Sequence, residues 1–260
     1  MGTVQIGAVT STEHLQQLHT VRTELDRLER LITEPITSND GETLPAWLRV
    51  TRGESHWPVV AMIALAIGLQ LALPDRLLPP HWWLLPGIEV VLLVALVVAN
   101  PSRFDRESRA LRLGSLTLTG VLSVANGWSA ALLAASMITG QGGSEAGPLL
   151  AAGAAIWLTN VIAFALWYWQ FDRGGPAARA LARKRNPDFL FAQMGNADLV
   201  DPNWEPRLVD YLYVSFTNAT AFSPADAPLS RWAKLTTLTQ AMISLVTVAL
   251  ILARAVGVLR

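Results

Sequence analysis

Five stretches of this sequence stay apolar for about the length of a bilayer crossing, and no other feature of the chain restricts its fold as much. A hydrocarbon core about 30 Å thick takes roughly 20 mostly apolar residues at about 1.5 Å rise each. The stretches run from about Trp57 to Leu73, Trp82 to Ala99, Leu116 to Ile138, Leu149 to Phe171 and Leu235 to Val258. Composition agrees: 15% of the 260 residues are charged and 52% are hydrophobic, against about a quarter charged in an ordinary soluble domain. The expected fold is an all-α integral membrane bundle of five transmembrane helices. Trp57, Trp82, Trp83, Trp167, Tyr168, Trp169 and Trp232 lie near the ends of these stretches, where amphipathic rings form belts at the headgroups.

Basic residues orient the bundle, because Arg and Lys beside a span are retained on the cytoplasmic side. Arg22, Arg27, Arg30, Arg49 and Arg52 precede the first stretch. Arg103, Arg106, Arg109 and Arg112 lie between the second and third. Arg173, Arg179, Arg183, Lys184, Arg185, Arg207, Arg231 and Lys234 lie between the fourth and fifth. Only Arg76, Arg254 and Arg260 fall on the other side, so all 20 basic residues divide seventeen to three. The N-terminus is therefore expected in the cytoplasm and the protein in the plasma (inner) membrane.

Ahead of the first span, Leu18, Val21, Leu25, Leu28 and Ile32 alternate three and four apart, which places one apolar stripe on a charged amphipathic helix from Thr12 to Thr33. Two heptads are marginal alone, so this helix needs a partner, either another copy or the membrane surface. Pro35 to Pro45 reads as a linker. The first fifty residues contain no apolar core of signal-peptide type, and Ile6 stands where a myristoylation site has Ser or Thr. The chain divides into a cytoplasmic tail at 1–55, three spans at 56–147 and a C-terminal region at 148–260.

Several polar groups fall inside the spans. Glu89 lies about seven residues into the second, Asn126 midway along the third and Asn160 midway along the fourth. An ionisable group at that depth faces a bundle interior or a watery cavity. The three residues are expected either to share one polar seam or to make separate interhelical hydrogen bonds. In the last stretch, Thr236, Thr239, Gln240, Ser244 and Thr247 share one broad helix face. That face either borders water or packs against neighbouring helices.

Between Pro187 and Ser230 the chain is too long for a simple loop. After Pro206 comes an apolar-aromatic run, Leu208, Val209, Tyr211, Leu212, Tyr213, Val214 and Phe216, which predicts a short helix of re-entrant or interfacial length. Thr217-Asn218-Ala219-Thr220-Ala221-Phe222-Ser223-Pro224-Ala225-Asp226 follows, then Pro228, Ser230, Ala233 and Lys234, then the final apolar helix.

The order of outer helix, short helix, polar tract and inner helix resembles the pore module of potassium channels. The matching residues are Ser215, Phe216, Thr217, Thr220 and Asp226, and the likeness covers roughly Leu149 to Leu259. Where that family has Val-Gly-Tyr-Gly, this chain has Phe222-Ser223-Pro224-Ala225. Those glycines let successive carbonyls face the ion, whereas proline fixes its own φ near −65°. A potassium-selective ladder is therefore not expected. The arginines also place this loop on the cytoplasmic side, opposite to potassium channels and as in glutamate-receptor channels. The tracts Phe-Asp-Arg-Gly-Gly-Pro and Ser-Phe-Thr-Asn-Ala-Thr-Ala-Phe-Ser-Pro also resemble those of uncharacterised bacterial multi-pass membrane proteins.

The resemblance implies a pore for a monovalent cation, lined by Thr217, Asn218, Thr220, Ser223, Asp226, Thr236, Gln240 and Ser244. One re-entrant loop per chain cannot ring an axis, so a homo-oligomer, most simply a tetramer, is implied. The alternative is a non-conducting scaffold or accessory subunit whose N-terminal helix binds a partner. Catalysis ranks last. There is no cysteine, and His14, His19, His56 and His81 lie outside or at the edges of the spans without metal-ligand spacing. Asp172, in the turn after the fourth span, has no nearby nucleophile or ligand of familiar spacing. No cofactor and no catalytic residue is expected. With zero net charge, neither is a nucleic-acid partner.

Overall fold

The structure, a computed structural model, describes residues 44–99, 109–139, 146–196, 199–220 and 227–258. The chain divides into two units, Met1–Pro45 and Ala46–Arg260, and the second carries the fold below. The expected amphipathic helix at Thr12 to Thr33 lies outside the described residues, as do Ser223 and Asp226.

The described residues of the second unit are mostly helical. Its helices are α1 (Trp57–Leu71), α2 (Leu84–Ala99), α3 (Arg109–Ile138), α4 (Ala146–Phe171), α5 (Pro176–Ala180), α6 (Ala192–Gly195), α7 (Leu208–Ala219) and α8 (Arg231–Val258). Strands β1 (Phe189–Leu190) and β2 (Ala227–Pro228) pair antiparallel, Phe189 opposite Pro228 and Leu190 opposite Ala227. Among the described residues three helices, α3, α4 and α8, are long and apolar enough to cross a membrane. At 15 and 16 residues, α1 and α2 are apolar but only about 22 and 24 Å long.

Local chemistry sets these lengths. Helix α1 has proline in its first turn, where the missing N–H costs nothing. It stops at Leu71 rather than Leu73, before Pro74, which disfavours helix in the residue preceding it. Helix α2 begins at Leu84 instead of Trp82 because His81 turns with a φ of 59°. Helix α3 begins seven residues before its expected start. Its first turn carries Arg109 and Arg112, good helix formers that hydropathy leaves out.

Neighbouring helices alternate in direction. Arg112, in the first turn of α3, donates to the Gly174 carbonyl just past α4 at 2.7 Å, and Trp169 near the end of α4 donates to Glu54 just before α1 at 2.7 Å. At the opposite end Leu73, Leu77, Leu133, Leu149 and Ile156 form one apolar cluster. The larger cluster, with Val59, Ile63, Leu118, Leu166, Phe189 and Tyr211 among its members, fills the first end. Among the described residues the arginines and lysines lie at that first, basic end, with Arg76 and Arg254 the exceptions.

Helix α4 is the hub. Of its most apolar stretch 61% is buried inside the chain, against 28% for α3 and 17% for α8. It leaves through a tight turn in which Gly175 takes φ 100° and ψ 175°, a region open essentially to glycine alone. A Cβ there would lie 2.9 Å from the Gln170 carbonyl oxygen. Gly175→Ala is expected to destabilise the protein by about 1–3 kcal/mol, read as a lowered thermal midpoint in detergent; an unchanged midpoint would contradict the strained turn.

Candidate functional site

The residues that order the C-terminal half lie in two layers where α4, α7 and α8 meet. The first is at the basic end. Asp172, directly after α4, is fully buried. Its Oδ1 accepts the Asp188 N–H at 2.8 Å and its Oδ2 the Tyr211 hydroxyl at 2.5 Å. Asp188 in turn accepts the Arg173 N–H through Oδ2 and the Trp232 indole through Oδ1, both at 2.8 Å. Its carbonyl takes the Leu229 N–H at 2.8 Å. Two carboxylates thus tie the exit of α4, strand β1, the first turn of α7 and the start of α8 into one knot.

Two arginines enclose this knot. Arg179 donates to the Trp169 and Asp172 carbonyls at 2.6 and 3.0 Å, and its guanidinium lies over the Trp169 and Tyr211 rings. Arg173 adopts a left-handed conformation, φ 53° and ψ 23°. It donates to the Lys184 and Trp47 carbonyls at 2.7 and 2.5 Å. Glu54 completes the layer, accepting the Leu208 N–H at the start of α7 at 2.9 Å and the Trp169 indole at 2.7 Å. Asp210 caps α7 by accepting the Arg207 N–H at 2.7 Å.

The second layer lies deeper. Gln240 of α8, with no exposed surface, donates to the carbonyl and hydroxyl of Ser215 on α7 at 2.9 and 2.6 Å. Its own carbonyl accepts from Tyr168 of α4 at 2.6 Å and from Asn218 at 2.9 Å. The Ser215 hydroxyl donates to the Val161 carbonyl at 2.7 Å, and Asn218 also donates to the Thr237 carbonyl at 2.8 Å. Asn160 donates to Ser244 at 3.1 Å. Near the end of α7 the Phe216 ring meets Trp157 edge-on, 5.6 Å between centroids.

These contacts fix the path of α7. It starts beside Glu54 at the basic end and finishes beside Val161 and Trp157, ten and fourteen residues before the end of α4, or roughly 15–20 Å along that helix. By β2 the chain is back at the Asp188 level. Helix α7 therefore enters the bundle from the basic end, and β2 lies at that same end.

The individual expectations fare differently. The Thr217 and Thr220 hydroxyls are half-buried and donate to carbonyls of their own helix; Thr236 does the same on α8. Asn218, Gln240 and Ser244 are engaged within the chain as described. On α8 the inward face is the polar one, with Thr237, Gln240, Ser244 and Thr247 buried and Thr239 exposed.

Glu89, Asn126 and Asn160 are all buried but share no recorded hydrogen bond. Glu89 takes the Gln70 amide of α1 at 3.4 Å, whereas Asn160 turns to α8. The aromatic belt is corrected in part: Trp57, Trp82 and Trp83 are exposed, but Tyr168 and Trp169 are buried because their polar atoms are used on Gln240 and Glu54. Glu54, Asp188 and Tyr211 carry the first layer and were not anticipated as site residues. Their only sequence signal is a hydroxyl or carboxyl flanking apolar runs. Among the described residues no cluster of three or more His, Cys, Asp or Glu could hold a metal.

The fold and site define an all-α protein with membrane-length helices and a short helix buried among them. Comparisons with protein-family models, with curated proteins and with solved structures find no match.

Burial raises the Glu54 carboxyl above its ordinary 4.5, ahead of the lowering by the Leu208 N–H, the Trp169 indole and Arg179 and Arg207. The folded chain then holds that proton more tightly than the unfolded one. The contribution of Glu54 to stability is thus full below about pH 4.5 and is lost as pH rises through the raised value. Relative to Glu54→Gln, the wild-type melting temperature is expected to fall as pH rises across this window; a relative rise would contradict the assignment. Gln240→Leu strands the Tyr168, Ser215 and Asn218 polar groups and is expected to cost roughly 1–3 kcal/mol, measured by denaturation in detergent.

Proposed function

We propose that this chain is a five-crossing protein of the bacterial inner membrane, with a cytoplasmic N-terminus, which assembles as a homo-oligomer around a re-entrant pore element and conducts monovalent cations without potassium-type selectivity. The observation that carries this reading is the path of α7, in at the basic end and down beside the middle of α4, with β2 again at the basic end. A half-helix of this kind leaves the negative end of its dipole inside the bundle, where it favours a cation. The segregation of basic residues to one end supports the orientation. Helices α1 and α2 serve as the two shorter crossings, accommodated by local thinning and by the exposed Trp57, Trp82 and Trp83 at their ends.

In this reading Thr217, Thr220 and Thr236 face the ion path: their hydroxyl protons are spent on carbonyls of their own helices, so oxygen lone pairs are free for a cation. Ser223 and Asp226 extend the path by sequence position. Asn218, Gln240 and Ser244 act as its internal support. A tetramer is the simplest ring.

The exposed surface of α8 favours a second reading, a non-conducting scaffold. Leu235, Leu238, Met242, Leu245 and Leu252 are exposed there, which suits lipid or a partner helix as well as a pore wall. Flux separates the two. Proteoliposomes carrying the wild-type chain are expected to pass rubidium and sodium at comparable rates, and Thr220→Trp is expected to abolish that flux while the melt in detergent is retained. No wild-type flux, or full flux through Thr220→Trp, would sink the pore reading.

A further inference from the structure

A crevice at the basic end stands apart from the α4–α7–α8 site. It holds a cavity of about 100 Å³ between α1, α2, the start of α3 and the turn after α4. Its chemistry is graded. The mouth is formed by His56, Arg112 and the Gly174–Gly175 backbone, all at the helix ends. Deeper, Ile63, Leu93 and Leu118 make the walls apolar. An apolar cavity of about 150 Å³ holds a benzene ring, so this one takes a run of about four carbons.

We propose that the crevice binds one anionic phospholipid of the adjoining leaflet, the first carbons of an acyl chain between Ile63 and Leu96 and the phosphate on Arg112. Charge complementarity selects this occupant. Arg112 is exposed and spends one Nη1 bond on the Gly174 carbonyl at 2.7 Å, which holds the guanidinium across the mouth and leaves further N–H donors of its planar fork for a phosphate. Arg109, also exposed, lies one helical turn away on α3. A neutral apolar ligand would leave that cation unused, and a free anion would leave the cavity below it empty.

Native mass spectrometry of the full chain in detergent, titrated with phosphatidylglycerol or phosphatidylcholine of equal chain length, tests the site. The wild type is expected to retain phosphatidylglycerol preferentially. Arg112→Ala should reduce that preference about fivefold, the factor expected for one cation near a lipid surface, and Arg112→Lys should keep most of it. Ile63→Trp, which fills the cavity, should lower retention of both lipids. Equal retention of the two lipids by the wild type, or an unaltered preference in Arg112→Ala, overturns the proposal. Displacement of phosphatidylglycerol by millimolar inorganic phosphate, with Ile63→Trp without effect, would show a headgroup-only anion site and overturn it as well. The readout is independent of ion flux, so failure here and failure of the pore reading are distinguishable.

Discussion

Asp172 is bonded through both of its carboxylate oxygens to parts of the chain that are far apart in sequence, and the C-terminal half is arranged around those two bonds. One oxygen holds Asp188 and with it the strand pair and the start of α8; the other holds Tyr211, in the first turn of α7. A buried carboxylate is tolerated only when its lone pairs are filled and its charge is answered. Here backbone and phenol fill the lone pairs, and Arg173 and Arg179 stand alongside, Arg179 spent on the Trp169 and Asp172 carbonyls and Arg173 on the more distant Lys184 and Trp47 carbonyls. Removing any one member leaves several buried polar groups without partners, so the knot acts as a unit.

The deeper layer meets a different demand. Interhelical hydrogen bonds between polar side chains in a membrane are individually weak, averaging about 0.6 kcal/mol. What the Tyr168–Gln240–Ser215–Asn218 lattice supplies is register: the Gln240 side chain accepts from Tyr168 on α4 and from Asn218 on α7, and donates to Ser215 on α7. Sliding α7 by one turn would break the Asn218 and Ser215 bonds together, leaving only the Tyr168 bond between α4 and α8. A helix of 12 residues has too little length to be held by hydrophobic contact alone among apolar neighbours, so polar contacts at both of its ends fix its depth.

The N-terminal half of the fold is held differently. Helices α1 to α3 pack through aliphatic side chains, Val59, Ile63, Leu118 and Leu122 among them, with Gln70 and Glu89 joined by a long 3.4 Å bond. The packing leaves the graded crevice beside Arg112. The two halves therefore differ in kind, one specified by polar geometry and the other by apolar packing.

Much of this was legible from one-dimensional properties. Hydropathy located the five apolar helices because burial in an apolar medium depends on composition summed over a window. The arginines marked one common end because each sits next to a helix terminus. Pro206 followed by a short aromatic run marked α7. What the sequence by itself did not settle was where polar side chains point. Tyr168 and Trp169 read equally well as interfacial belt residues, and Gln240 as lining for a water-filled path. The roles of Glu54, Asp188 and Tyr211 in the knot gave no local pattern, because partners of theirs lie 115, 44 and 39 residues away. Helicity and the basic end were written in the sequence because they follow from neighbouring residues; the inward path of α7 and the knot at Asp172 were decided by tertiary structure, because each buried polar group finds its partner only after distant helices meet.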